Sequence, residues 1–182
     1  MKKLSFIFLL VVGVLALVLC ARVYHFTPRR AQIKMAAPAP IDLDAALKRL
    51  AQAVQQPTVS ASDPGDTTDR FRRFHDFLAH AYPAIHAKLT REIINGSLLY
   101  TWKGTDESLK PILFAAHMDV VPVDPKSEAD WKYPPFSGTV ADGYLWGRGT
   151  MDDKGSLMAI LEALEHLLSQ GFQPFRTIYL RS

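Results

Sequence analysis

The sequence predicts an α/β fold with a mixed, mostly parallel sheet flanked by helices. Apolar runs of strand length alternate with helical repeats toward the C-terminal end, the order that such a sheet requires. One of these runs, residues 112–116, has no polar alternation, so we expect a central strand that is buried on both faces. The 182 residues, 48% of them hydrophobic and 21% charged, suffice for one globular domain.

The N-terminal segment is expected to lie outside that domain. Residues 4–21 are almost uninterruptedly apolar and follow Lys2 and Lys3, a pattern typical of a signal peptide or a transmembrane signal anchor, which we assign to residues 1–23. The run is close to the ~18 residues with which a helix can span a bilayer, and no A-x-A cleavage site follows it. The sequence therefore favours an uncleaved anchor over a removed signal, and both alternatives predict a membrane-anchored or exported protein.

A linker and a capped helix are predicted next. Residues 24–40 contain several prolines without periodicity, which is typical of a linker, so the domain is expected to occupy residues 41–182. Asp42 is expected to cap a first helix, which Pro57 ends. Residues 60–68 are predicted to form a loop.

Apolar residues at helical spacing predict a second amphipathic helix over residues 71–82. Pro83 follows directly and is expected to stop it. His75 and His80 are placed by the pattern on the solvent-exposed surface of this helix.

Turn and capping signals locate the remaining elements. Asn-Gly and Asp-Gly pairs tolerate positive φ and predict hairpins, and a glycine often ends a helix. The predicted elements are strands 89–94 and 98–102 around Asn95-Gly96, a hairpin over 140–147 turning at Asp142-Gly143, a helix over 155–169 that Gly171 ends, and a strand over 176–180.

Composition excludes several kinds of site. The single cysteine, Cys20, excludes an internal disulfide framework and a zinc ribbon, so a metal site here would need histidine and carboxylate ligands. The net charge of +3 and the absence of a basic stripe with interleaved aromatic residues predict that no nucleic acid is bound.

His117 and Asp119 follow the apolar run 112–116 directly. Open α/β sheets bind ligands beyond the carboxyl ends of their strands, and in extended backbone these two side chains point the same way. The carboxylate is therefore placed to orient an imidazole that binds metal. Alone, the pair favours a structural histidine over a metal ligand, because histidine is intermediate in burial.

Asp152 and Asp153 precede the apolar stripe of the helix predicted over residues 155–169. One explanation is helix capping, since aspartate is favoured near free backbone N–H groups. Capping needs only one of the two, and a carboxylate that bridges two cations accounts for the other. Carboxylate and imidazole ligands together suit Zn²⁺, with manganese or cobalt as substitutes.

The order and spacing of three sequence words give a specific resemblance. They are Ala-His-Met-Asp-Val-Val-Pro at 116–122, Pro-Pro-Phe-Ser-Gly at 134–138 after Trp131, and Gly-Tyr-Leu-Trp-Gly-Arg-Gly at 143–149 with Asp-Asp-Lys-Gly at 152–155. Over residues 41–180 the chain resembles the N-terminal part of the catalytic domain in the di-zinc exopeptidase family of aminoacylases, acetylornithine deacetylases and succinyl-diaminopimelate desuccinylases. Within that family it is most similar to the branch of carboxypeptidase S and the N-fatty-acyl-amino-acid synthase/hydrolase.

The resemblance implies a role for each residue of the candidate site. His117 is implied to bind one zinc, Asp119 to hold and polarise that histidine, and Asp152 to bridge two zinc ions, while Asp153 keeps a capping or solvent-facing role. The implied reaction is amide hydrolysis next to a free carboxylate. The implied substrates are short peptides cut at their C-terminal residue or N-acyl amino acids, and the sequence leaves these two open.

The resemblance also implies groups that this sequence does not contain. In the family, a Glu-Glu pair with the general base, a further acidic ligand, an inserted dimerisation domain and a late histidine follow the strand predicted at 176–180. We therefore expect residues 41–182 to be the first portion of the domain and the chain as given to be inactive. The alternative is a non-catalytic, membrane-anchored protein that binds partners or at most one metal weakly.

Overall fold

Two units make up the structure, a computed structural model that describes residues 2–26, 37–60 and 64–182. The units are Met1–Ala39 and Pro40–Ser182. In the first, helix α1, Lys2–Phe26, carries exposed apolar side chains along its length. By length and composition it is the one helix in the described ranges that is able to cross a membrane, a test that a signal sequence also passes. The helix runs past residue 23, and most of the predicted linker, residues 27–36, lies outside the described part.

Three helices open the second unit. Helix α2, Leu43–Val54, begins as predicted, because the Asp42 carboxylate accepts a hydrogen bond from the Ala45 backbone N–H at 3.0 Å. Helix α3 is Pro64–Ala81, so the prediction of a loop as far as residue 68 is wrong. Proline is favourable in a first helical turn, where its missing N–H has no partner to lose. Pro83 follows α3 and, for the same reason, can begin a short helix that was not predicted, α4, Pro83–Lys88.

Both predicted hairpins are confirmed. Strands β1, Thr90–Ile94, and β2, Ser97–Trp102, pair antiparallel around Asn95-Gly96, both of which have positive φ. Strands β4, Thr139–Ala141, and β5, Tyr144–Trp146, pair in the same way around Asp142-Gly143.

A four-stranded mixed sheet forms the centre of the second unit. Its order is β1-β2-β6-β3, where β3 is Ile112–Ala115 and β6 is Ile178–Arg181. Strand β6 runs antiparallel to β2 and parallel to β3. Helix α5, Lys154–Ser169, makes the crossover that returns the chain to β6, and Gly171 with positive φ follows its last turn. The α/β class and the mixed sheet with flanking helices are thereby confirmed. The expectation that the sheet is mostly parallel is wrong for the described residues, because two of its three strand pairs are antiparallel.

The core lies between the sheet and helices α2 to α5. Alternate residues of β2 are buried, as expected for a strand with one face toward helices. The fully buried core side chains include Phe74, Leu78, Tyr82, Ile85, Leu98, Leu157 and Leu161.

Strand β3 differs from the prediction of a central, doubly buried strand. Ile112, Leu113 and Phe114 are 39%, 61% and 41% exposed. In the described residues β3 pairs with β6 alone and is therefore an edge strand. Its apolar sequence is typical of a buried strand. Within the described residues, however, neither a second neighbouring strand nor a second layer of helices covers it.

Candidate metal centre

His117 lies on the segment that leaves the carboxyl end of β3. Thr58 binds this segment at two points. Its hydroxyl donates to the Met118 carbonyl, and its own carbonyl accepts the Val120 N–H at 3.0 Å. Thr58 is fully buried. The backbone around His117 is thus anchored to the residues that follow α2.

Two carboxylates contact opposite sides of the His117 ring. Nδ1 lies 3.1 Å from Oδ1 of Asp119 and 3.0 Å from its backbone carbonyl, and Nε2 lies 2.8 Å from Oδ1 of Asp152. The structure therefore brings together all three site residues that the sequence singles out. Partial burial by itself lowers the pKa of His117, but hydrogen bonding to Asp152 and contact with Asp119 outweigh it, so this pKa is raised above its usual value.

The Asp152–Asp153 turn makes a second contact with the same histidine, through its backbone. Asp153 occupies the N-cap position of α5, yet its side chain makes no capping hydrogen bond. Instead, Oδ2 of Asp153 accepts the backbone N–H of His117 at 3.2 Å. The expected side-chain capping by Asp153 is therefore wrong, because the turn directs this carboxylate toward the neighbouring segment.

Glycine is required on the approach to this turn. Gly149 has φ of +85°, and a Cβ there would meet Cγ1 of Val120 at 2.5 Å. Beyond the turn, the Lys154 side chain is fully buried, and burial lowers its pKa to about 7.

The donor atoms around His117 match only part of a zinc site. Among the described residues, no group of three or more His, Cys, Asp or Glu side chains converges to hold a metal ion. The reason is geometric, since Asp119 and Asp152 contact opposite ring nitrogens. Nε2 of His117 and the carboxylate of Asp152 are donors that Zn²⁺ accepts, but zinc sites use at least three protein ligands. The described residues therefore fit part of a zinc site.

Two cavities meet at His117 and Asp119. A cleft of about 380 Å³ is lined also by Trp131, Trp146 and Asp152. A second cavity of about 760 Å³ is also lined by His117 and Asp119, and its walls include Phe71, Ile93 and Arg181. The histidine and its carboxylate thus line both cavities.

Sequence analysis missed two contributors to these surroundings. His75, expected at the surface, is buried, and its Nε2 lies 3.1 Å from the Gly96 carbonyl; burial lowers its pKa. The hairpin that covers it is distant in sequence, so the helical pattern alone gave no signal. Ser60 donates to Oδ2 of Asp119 at 3.1 Å, a contact between segments 59 residues apart.

Comparison with known proteins supplies independent findings. The model of peptidase family M20/M25/M40 matches residues 113–181, which include the whole candidate centre. The probable carboxypeptidase S-like 2 of Dictyostelium discoideum is 48% identical over 93% of this chain. The N-fatty-acyl-amino acid synthase/hydrolase PM20D1 of Xenopus tropicalis is 39% identical over 74% of it. The chain spans 34% and 26% of these relatives, respectively.

A solved structure extends the likeness to the fold. The M20 family metallo-carboxypeptidase Sso-CP2 from Sulfolobus solfataricus superposes with a TM-score of 0.58 and 26% sequence identity. The matched region covers 75% of this chain and 30% of that protein.

Proposed function

Since this chain belongs to peptidase family M20/M25/M40, we propose that residues 41–182 supply the first portion of a metal-dependent amide hydrolase. His117 and Asp152 are the metal ligands in this proposal, and Asp119 orients the histidine. The observation that carries it is the chain of contacts from Asp119 through the imidazole to Asp152.

Each residue has a distinct task in this arrangement. Asp119 accepts a hydrogen bond from Nδ1–H of His117, which leaves the lone pair of Nε2, on the side of Asp152, available to a metal ion. Asp153 holds the histidine backbone, and Ser60 holds the Asp119 carboxylate. When bound, a pair of zinc ions, or manganese or cobalt in their place, acts as a Lewis acid that polarises the scissile amide.

The proposed substrates are short peptides with a free C-terminus or N-acyl amino acids. The names of the two relatives, a carboxypeptidase and an acyl-amino-acid hydrolase, support one class each. In the 380 Å³ cleft, Trp131 and Trp146 offer apolar surface beside His117. Helix α1 is proposed to anchor or export the protein, so the hydrolysis takes place outside the cytosol.

Zinc binding and turnover test the proposal. The 182-residue chain, solubilised in detergent, is expected to bind at most one Zn²⁺ weakly in calorimetry and to show no measurable hydrolysis, because its described residues provide two ligands and no third. His117→Ala is expected to abolish that binding. His80→Ala, at an exposed position on α3, is the matched control and keeps it.

Two results would contradict the proposal. Zn²⁺ binding that persists in His117→Ala would place the metal elsewhere. Zinc-dependent turnover by the 182-residue chain that is lost in His117→Ala would show that it carries a complete site. The same protocol applied to a chain of the relatives' full length is expected to give hydrolysis of dipeptides or N-acyl amino acids.

A second candidate function is a non-catalytic, membrane-anchored protein. The observation that favours it is that no third metal ligand converges on His117 in the described ranges. Under this alternative, a chain of full family length binds no second zinc and hydrolyses neither substrate class.

A further inference from the structure

Lys154 is a fully buried lysine at the first turn of α5. Its Nζ donates to the carbonyls of Ala53 at 2.8 Å and Gln56 at 2.5 Å, and it lies 5.0 Å from the centre of the Phe74 ring. Both carbonyls are at the C-terminal end of α2, where the helix dipole favours a cation. Within the described ranges, no carboxylate forms an ion pair with this ammonium.

A buried ammonium needs its hydrogen-bond partners in fixed positions. Removing such a group from water is costly unless hydrogen bonds and dipoles compensate it. The contacts of Lys154 therefore hold the first turn of α5 at a set position relative to the end of α2. A helix-to-helix contact made by leucine would tolerate sliding far better, because apolar contacts have no direction.

The candidate metal centre is joined to both of these anchored ends. Thr58, four residues after α2, binds the backbone of Met118 and Val120, which follow His117 in the chain. On the other side, Asp152 and Asp153 immediately precede Lys154, whose backbone N–H also donates to the Gly149 carbonyl at 3.0 Å. The end of α2 is thus the shared reference for the histidine and for the carboxylates that contact it.

We propose that Lys154 is a positioning residue that sets the Asp152–Asp153 turn at the correct distance from His117 by tying it to the C-terminal end of α2. The proposal rests on the proposed function for the role of His117 and Asp152 as metal ligands. It assigns to Lys154 a task that neither core packing nor contact with substrate requires.

A purely structural role for Lys154 makes a different prediction. In that case its loss lowers the stability of the fold but leaves metal affinity in the folded protein unchanged. Leu157→Ala is the matched control, because Leu157 is equally buried and lies one turn further along α5, away from the turn.

The experiment compares Zn²⁺ affinity by calorimetry in the full 182-residue chain and its variants, with thermal unfolding measured in parallel. Lys154→Met keeps an unbranched apolar chain and removes the donors; we expect it to weaken Zn²⁺ binding about 10-fold or more, as loss of residues that orient ligands does. Leu157→Ala is expected to unfold at lower temperature with unchanged affinity. Lys154→Arg, which keeps a cation and hydrogen-bond donors, is expected to lose less Zn²⁺ affinity than Lys154→Met.

A second reading uses Co²⁺ in place of zinc. Its visible absorption reports ligand geometry, and we expect the spectrum of Lys154→Met to differ from that of wild type while that of Leu157→Ala does not. Should Lys154→Met fail to fold, Lys154→Gln, which is neutral but can still donate to one carbonyl, is measured instead against the same expectations.

The outcomes separate this inference from the proposed function. Wild-type affinity and spectrum in a folded Lys154→Met or Lys154→Gln chain, with binding lost in His117→Ala, overturn the positioning role alone. Zinc binding that does not depend on His117 overturns the proposed function itself.

Discussion

Two charged clusters join distant parts of this chain, and they are built in opposite ways. In the first, Glu162 accepts two hydrogen bonds from Arg49 at 2.6 Å each and a third from the Tyr82 hydroxyl at 2.8 Å. Glu162 is buried, and the hydrogen bonds that Arg49 donates to it raise the pKa of Arg49. The positive charge of Arg49 balances the negative charge of Glu162, so this cluster has no excess charge that would attract an ion.

The second cluster has excess negative charge and is open to solvent. Three carboxylates surround His117: those of Asp119 and Asp152 contact its ring, and that of Asp153 accepts its backbone N–H. The Asp152 side chain is 90% exposed. Even a protonated His117 would balance only one of them. Close contacts between charged side chains therefore do not by themselves mark a metal site. Charge imbalance together with solvent access does, and the excess negative charge here supports a cation as ligand.

Breaking the balanced cluster is expected to give the largest effect on folding. Glu162→Ala leaves Arg49 partly buried without its partner, and loss of one member of such a pair costs about 3 kcal/mol of unfolding free energy. Urea unfolding followed by circular dichroism measures it. Glu107→Ala, at an exposed position, should change the unfolding free energy by less than about 0.5 kcal/mol; equal losses in the two variants would show that the Arg49 pair has no special weight.

In the unbalanced cluster, changing a carboxylate is expected to affect metal binding more than folding. Asp119→Asn weakens the acceptor for Nδ1 of His117, and we expect Zn²⁺ affinity to fall roughly 10- to 100-fold. Calorimetry checks the affinity, and the urea midpoint should stay close to that of wild type. Asp124→Asn, an exposed aspartate outside the cluster, provides the comparison; affinity retained in Asp119→Asn would remove Asp119 from the proposed site.

A smaller effect is expected at Asp153. Asp153→Ala removes the acceptor for the His117 N–H, and loss of a hydrogen bond to a charged group costs about 1.5 kcal/mol. Asp153→Asn keeps an oxygen acceptor without the charge, so it separates hydrogen bonding from electrostatics. If hydrogen bonding dominates, the unfolding free energy and Zn²⁺ affinity of Asp153→Asn should be close to those of wild type, and those of Asp153→Ala should be clearly lower. Similar losses in both variants would assign the effect to charge.

The smallest predicted effect comes from a histidine outside both clusters. Burial lowers the pKa of His86, whose ring contacts the Tyr82 carbonyl at 2.8 Å and the Tyr100 hydroxyl at 3.0 Å. A folded-state pKa below the unfolded value stabilises the fold above about pH 6.5, and this contribution is lost as the pH falls through the folded-state pKa.

The check on His86 is the urea unfolding free energy between pH 7.5 and 5. We expect His86→Gln to be less stable than wild type at pH 7.5 and to lose less on acidification. His80→Gln, on the preceding helix, leaves the contacts of His86 intact and should follow the wild-type pH curve. An unchanged slope in His86→Gln would show that other groups cause the acid loss.

Local signals predicted the elements well, and long-range contacts account for the failures. Asn95-Gly96 and Asp42 act within a few residues of themselves, so the hairpin and the helix start follow from sequence. His75 is buried by a hairpin about 20 residues away, and helical spacing cannot report that. The apolar run of β3 was read correctly as a strand, but its burial depends on neighbours that a strand pattern does not specify.

The sequence indicated which residues lie together at the candidate centre, but not the hydrogen bonds between them. A position after a strand and a position before a helix located His117 and Asp152, and family resemblance supplied their roles. The hydrogen bond from the His117 N–H to Asp153 required coordinates, because it depends on the direction of one turn. The buried Lys154 gave no sequence signal, since a lysine at the start of a helix ordinarily faces water.

The exposed edge of β3 has a practical consequence for handling the protein. In the described residues the edge of β3 that faces away from β6 has no neighbouring strand, so its backbone donors and acceptors are free to pair, and Leu113 is 61% exposed. Such an edge templates pairing between molecules, so solutions of this chain should aggregate in a concentration-dependent way. A charged residue at this position, as in Leu113→Lys, opposes such pairing and is expected to raise the soluble yield without changing the candidate metal centre.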